Sequence, residues 1–333
     1  MPDESLGILI FIIVLSIGFA VVNGFNDAAN AVAASIGSRA LSPQKAIILA
    51  AVCNLAGAVT GLAVARTIGK GILLPEAVSF VTMIAALGSV VIWGSIATRL
   101  GLPVSITHSF ISALAAAGVA VVGIEAIQWH ILQRVAMSVV AAPVLGFIGG
   151  FTLMVALLWT FRRSAPSRMR IIFSRLQWLT TAFLAYSHGK NDGQMPIGVI
   201  TMALVVYTGE IGLWDNIPIW VVALSALSIS SGTAFGGCRV IKTLGIKITK
   251  LTPVDGFVAD FAAAAVIEGA SILGIPVSTT HCASSSVMGI GATKRLSAVR
   301  WGIAGNIVMA WILTFPICGG LGYLFALLLR LFT

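Results

Sequence analysis

The residues with chemistry to offer fall in two pairs of short strings. The first pair is Asn23-Gly24-Phe25-Asn26-Asp27-Ala28-Ala29-Asn30 and Ser187-His188-Gly189-Lys190-Asn191-Asp192-Gly193-Gln194. The second is Gly101-Leu102-Pro103-Val104-Ser105-Ile106-Thr107-His108 and Gly274-Ile275-Pro276-Val277-Ser278-Thr279-Thr280-His281. An ionised carboxylate inside an apolar stretch is costly unless it is paired, solvated or bound to a cation. Asp27 and Asp192 each stand beside an asparagine, Asn26 and Asn191, and so offer the carboxylate and amide oxygens that a hard cation such as Na⁺ takes. Gly24, Gly189 and Gly193 leave the backbone free to unwind there and add carbonyl oxygens. Asn30, Asp260 and Glu268 are further candidate cation ligands. The last two stand eight positions apart in one apolar stretch, about 80° around a helix. A cap on a half-helix is the plainer reading of either Asp, and two matching copies argue against it.

The Pro-Val-Ser-x-Thr-His strings read as helix starts, with proline in the first turn and hydroxyls capping free N–H groups. Such a terminus presents donors and the positive end of the dipole, which suits an anion. Ser105, Thr107, Ser278, Thr279 and Thr280 are therefore candidate donors to an oxyanion. His108, His188 and His281 lie inside the strings and can hydrogen-bond, carry a proton or buttress a turn. A supporting role is expected for each of them, and for Lys190 and Gln194. Lys190 can offset nearby carboxylates or attract an anion. His130, beside Trp129, reads as interfacial, and Trp93, Trp178 and Trp220 as anchors or packing.

The elements that must position these residues are membrane helices. Of 333 residues 58% are hydrophobic and only 9% charged, and the mean hydropathy is +1.04, which excludes a soluble enzyme. Apolar runs at roughly 6–22, 44–65, 77–98, 132–160, 217–238, 254–273 and 298–328 are long enough to cross. Another, 171–208, is interrupted at Ser187–Gln194, and two shorter Pro-led runs, 103–122 and 276–292, are expected to fold back as re-entrant hairpins. Lys and Arg concentrate in 162–175, 239–250 and 294–300, whereas 208–218 has only Glu210 and Asp215. Positive-inside logic puts the basic segments in the cytoplasm and both termini outside. It also assigns the net charge of +9 to cytoplasmic loops rather than to nucleic-acid binding. Asp3 and Glu4, ahead of the first run, mark it as a retained span and not a leader. Cys53, Cys238, Cys282 and Cys318 lack metal spacing and read as small buried hydrophobes.

Asp27 and Asp192 are 165 positions apart, and Pro103 and Pro276 are 173 apart. Two motifs recurring in one order define a first repeat at 1–160, an Arg-rich link at 161–176 and a second repeat at 177–333. Five nominal crossings per half, an odd number, make the second repeat inverted. The expected fold is thus an all-α polytopic membrane protein of about 10–12 segments with broken helices. Inverted repeats with interrupted helices in matching places are the mark of a secondary transporter with a midplane site. A passive channel has less need of paired carboxylates at broken helices. An intramembrane enzyme would need a motif such as HExxH or GxSxG, which is absent. No cofactor is expected.

The strings GFNDAANAVA at 24–33 and SHGKNDGQMPIG at 187–198, with the paired PVSxTH segments, resemble the inorganic phosphate transporter (PiT) family over essentially the whole chain. The resemblance implies phosphate transport driven by Na⁺ or H⁺, inverted repeats, a homodimer and a compact prokaryotic form in the plasma (inner) membrane. Some bacterial relatives carry sulfate instead. It implies that Asn26, Asp27, Asn191, Asp192, Ser105, Thr107, Ser278, Thr279 and Thr280 line the central site. Two departures stand out: Asn54 where many members have glutamate, and Ile106 opposite Thr279. Hydrogen phosphate can donate its proton to an ionised carboxylate and sulfate cannot, which gives such a site a handle on selectivity.

Overall fold

The computed structural model describes residues 6–332, so Asp3 and Glu4 lie outside the described residues. Each half runs through five segments in the same order. In the first they are α1 (Leu6–Gly37), α2 with α3 (Pro43–Ala58, Ala63–Gly71), α4 (Phe80–Leu100), α5 (Ile106–Val121) and α6 (Trp129–Thr160). In the second they are α7 with α8 (Pro166–Asp192, Gln194–Thr208), α9 with α10 (Ile219–Phe235, Cys238–Lys242), α11 (Pro253–Ile272), α12 (Thr279–Lys294) and α13 (Trp301–Leu329). α1, α4, α6 and α13 are each long and apolar enough to cross a membrane alone, and the pairs α2–α3 and α9–α10 pass as spans bent by 67° and 60°. α6 and α13 both carry an internal proline, Pro143 and Pro316. The molecule is an all-α membrane protein of two inverted repeats.

The halves interlock. α1 packs on α9 and α2 on α7, while α5 packs on α13 and α12 on α6, so four of the main helix pairings join one half to the other, and α7 packs on α11 within the second half. Glycine permits the closest of these approaches. A side chain at Gly24 would run into the Ile229 carbonyl of α9, and one at the matching Gly189 into the Asn54 carbonyl of α2. Without a hydrophobic drive between helices in lipid, such close backbone contact is a main source of association. This corrects one expectation. Gly24 does not unwind α1, which stays helical throughout the Asn-Asp string, because its missing side chain serves packing. Only the second copy is interrupted, at Gly193 between α7 and α8.

The two Pro-led strings build matching hairpins. Gly101 and Gly274 end α4 and α11 in the left-handed conformation (φ 71° and 68°), as glycine does at helix C-termini. The four residues 102–105 and 275–278 lie outside the helices, and the last of each, Ser105 and Ser278, is extended and caps α5 and α12. The prolines thus precede the cap and are not in the first helical turn, as the spacing had suggested. The basic segments come together at one end: the Arg300 N–H donates to the Ile248 carbonyl at 3.0 Å, and Lys294 to the Lys250 carbonyl at 3.1 Å. The Arg-rich stretch is itself helical from Pro166, which leaves only 161–165 as a link between α6 and α7. Gly232→Val, whose side chain would strike the Val21 carbonyl, is expected to destabilise by about 1–3 kcal/mol. Gly305→Ala, in open space, is expected to change nothing. Melting of the detergent-solubilised variants checks both.

Candidate functional site

The two hairpins point the N-termini of α5 and α12 at each other. Ser105 Oγ accepts from the His108 N–H, and Ser278 Oγ from the His281 N–H, both at 3.1 Å. The N–H groups of the first two residues of each helix have no intrahelical acceptor, so four backbone donors face the junction. Thr280 Oγ1 lies 3.1 Å from the Val104 carbonyl, joining the tip of one hairpin to the other. Each tip is also held from behind by the long last helix of the opposite half. Trp311 Nε1 donates to the Pro103 carbonyl (3.1 Å) and Ser138 Oγ to the Pro276 carbonyl (3.3 Å).

Asp27 and Asp192 face this junction from opposite sides, and each has one hydroxyl partner from the other half. Asp27 Oδ1 accepts from Thr280 of the second half at 2.8 Å. Asp192 Oδ1 accepts from Thr107 of the first half at 3.2 Å, and its Oδ2 from Thr279 at 3.1 Å. Ile106 stands where Thr279 has its hydroxyl, so Asp27 lacks that second donor. Asn30 takes its place, donating from Nδ2 to Asp27 Oδ1 at 3.1 Å and to Thr280 Oγ1 at 2.7 Å. The departure from symmetry seen in the sequence thus has a structural compensation.

Asp27, His188 and Asp192 each offer one ligand atom within 4.8 Å of the others. His188 Nε2 lies 3.1 Å from Asp192 Oδ2, and its Nδ1 lies 3.0 Å from Asn54 Oδ1. Asn54 Nδ2 in turn donates to Thr233 Oγ1 at 2.7 Å. Around this cluster the amide oxygens of Asn26, Asn30 and Asn191 have no hydrogen-bond partner. Their nitrogens are fixed, Asn26 to Thr98 Oγ1 (2.6 Å) and Asn191 to the Val277 carbonyl (3.2 Å). Unpartnered amide oxygens beside two carboxylates form a hard donor set that fits Na⁺. No residue of the junction is more than 3% exposed, so the site is closed to both faces.

The other anticipated residues lie outside this cluster. Asp260 accepts from Thr181 at 2.8 Å and shares a small void with Asn30, one layer away from the carboxylate pair. Glu268 is ion-paired with Lys190, which answers what Lys190 offsets. Gln194 braces the start of α3 by accepting from the N–H groups of Val64 (2.8 Å) and Ala65 (3.2 Å). His108 and His281 meet edge to face with ring centroids 5.0 Å apart, and His281 lies against Trp311 at 4.0 Å. Their ring nitrogens have no partner, so they pack the back of the junction rather than hydrogen-bond to it. His130 is exposed near the start of α6, and Trp178 and Trp220 are exposed, whereas Trp93 reaches Thr314 Oγ1 at 3.2 Å. Cys282 and Cys318 are buried as expected, Cys53 partly so, but Cys238 is exposed, since it opens the short α10. Thr98, Thr233, Ser138 and Trp311 were not anticipated. The last two, like Pro143 and Pro316, are 173 positions apart, the same offset as the two hairpin prolines.

The family described as phosphate transporters matches this chain twice, over residues 23–171 and 161–322. The chain belongs to the phosphate transporter family. A probable low-affinity inorganic phosphate transporter of Bacillus subtilis is 39% identical over 322 residues, 96% of each chain. One of Rhizobium meliloti is 39% identical over 93% of this chain and 92% of its own. A solved structure described as the sodium-dependent phosphate transporter superposes with a TM-score of 0.92 at 28% identity, covering 98% of this chain and 100% of that one. Within this phosphate transporter family member, Asn54→Leu leaves His188 Nδ1 without a partner, whereas Thr233 keeps its bond to the Ile229 carbonyl. On the reading proposed below, it is expected to weaken the apparent affinity for a coupling cation by roughly tenfold or more, through loss of the hydrogen bond that orients His188 beside Asp192. Uptake against cation concentration checks this, with membrane expression unchanged.

Proposed function

We propose that this protein imports inorganic phosphate by symport with a cation, Na⁺ rather than H⁺, through alternating access. The observation that carries this reading is the crossed arrangement of two carboxylates and two helix N-termini at one buried point. The donors for the anion are Ser105, Thr107, Ser278, Thr279 and Thr280 with the free N–H groups of α5 and α12. Na⁺ sits between Asp27, Asp192 and the amide oxygens of Asn26, Asn30 and Asn191.

The coupling follows from which acceptor each hydroxyl serves. With no cation bound, Thr107, Thr279 and Thr280 donate to the carboxylates, and two negative charges repel an incoming anion. Na⁺ takes the carboxylate lone pairs and offsets the charge, which frees the hydroxyls to turn to phosphate oxygens. Hydrogen phosphate can also donate its own proton to a carboxylate oxygen, and sulfate has none to give. H⁺ coupling would work through the same carboxylates, but three unpartnered amide oxygens together favour a metal cation, which takes several hard oxygen ligands at once.

A rearrangement of the interlocked repeats, joined through the short link between α6 and α7, opens the hairpin junction to one face at a time. The end carrying the clustered Lys and Arg is cytoplasmic, with the termini outside and the chain in the plasma membrane. The exposed apolar faces of the long helices leave room for a homodimer partner. In proteoliposomes with an inward Na⁺ gradient, Asp27→Asn and Asp192→Asn are each expected to cut phosphate uptake by roughly tenfold or more, the worth of one charge-assisted contact. Excess sulfate should leave wild-type uptake intact. Normal uptake by both variants would overturn the central site, and sulfate competition would overturn the substrate.

A further inference from the structure

At the basic end of the molecule a cleft of about 820 Å³ opens between the ends of α1 and α6 and the starts of α7 and α11. Its walls are apolar, with Leu157, Phe161 and Met169 among them, and its rim carries Arg39, Arg162 and Arg170. A fourth rim cation, Lys294, is already paired with Asp255 at 2.6 Å. Among the described residues the three arginines have no carboxylate partner. The N-terminus of the 27-residue α7 also faces the cleft at Pro166 and has no side-chain cap. Trp159, 68% exposed on the last turn of α6 and stacked by Arg162 at 4.9 Å, marks this depth as the membrane–water boundary.

Arg39 supplies an independent sign. It ends α1 with φ 61°, and among the described residues no other non-glycine has a positive φ. Glycine is the usual residue at that position, and an arginine there holds strained backbone. The strain goes unexplained by packing, since the side chain is exposed and lines the cleft.

We propose that this cleft is a binding site for an anionic glycerophospholipid of the surrounding bilayer. Arg39, Arg162, Arg170 and the α7 N-terminus hold the headgroup phosphate, and an acyl chain lies along Leu157 and Phe161. A free anion would use the cations but not the apolar wall, and a zwitterionic lipid brings the same phosphate with its own ammonium, which the three arginines repel. A lipid seated here ties together α1, α7 and α11, which carry Asp27, Asp192 and Asp260.

Native mass spectrometry of the purified full-length protein tests this, with phosphatidylglycerol and phosphatidylcholine of identical acyl chains. The wild type is expected to retain phosphatidylglycerol in preference. Arg39→Gly, Arg162→Gln and Arg170→Gln should each weaken that lipid roughly fivefold, and Arg39→Gly should do so while leaving the melting temperature unchanged or raised. A triple variant at Arg163, Arg168 and Arg175, in the same stretch but outside the cleft, should retain the preference. Equal binding of the two lipids would overturn the proposal, as would equal loss in both sets of variants. Displacement of phosphatidylglycerol by millimolar inorganic phosphate would assign the cleft to a free anion instead.

Discussion

Two carboxylates and an imidazole lie within 4.8 Å of one another at a point sealed from both faces of the molecule. At that separation two like charges repel by about 3–4 kcal/mol even at an effective dielectric constant of 20, and taking each from water costs more. Hydroxyl donors relieve part of this, but they cannot supply a positive charge. A bound cation can. The same field that calls for a cation turns away an anion, so on the reading proposed above a phosphate at the adjoining helix N-termini would depend on the cation being there first. Coupling of this kind is a reciprocal free energy between two sites that share one set of side chains.

The inverted repeats explain how the chain delivers such a pair to one place. Each half supplies one carboxylate and one helix N-terminus, and interlocked packing brings the Asp of one half to the threonine of the other. Thr280 meets Asp27, and Thr107 meets Asp192. A relative movement of the halves therefore acts directly on the contacts of both carboxylates. The departure at Ile106, with Asn30 standing in for a hydroxyl, makes the two carboxylates unequal in kind: Asp27 accepts from one hydroxyl and one amide, Asp192 from two hydroxyls.

The sequence carried the repeat, the helix hairpins and the junction residues because all depend on residue type at fixed spacing: an Asp in an apolar run, or glycine, proline and serine in one order. It misled where one residue type serves two physical ends. Gly24 reads equally as an unwinding point and as a place of close helix contact, and only the neighbour on α9 decides. Glu268 and Asp260 read alike as intramembrane carboxylates, yet Lys190 neutralises one and Thr181 holds the other. Ser138 and Trp311 support the hairpin turns from the opposite half, a relation no local pattern contains. Their shared offset with the prolines was the one signal that could have found them.

The most direct measurement is calorimetric titration of inorganic phosphate into the purified protein with Na⁺ present and with Na⁺ replaced by a large organic cation. If the carboxylates gate the anion site through charge, phosphate binds measurably with Na⁺, and its affinity falls by an order of magnitude or more without it. Equal phosphate affinity in the two solutions would contradict the account, because the anion site would then be indifferent to the charge beside it.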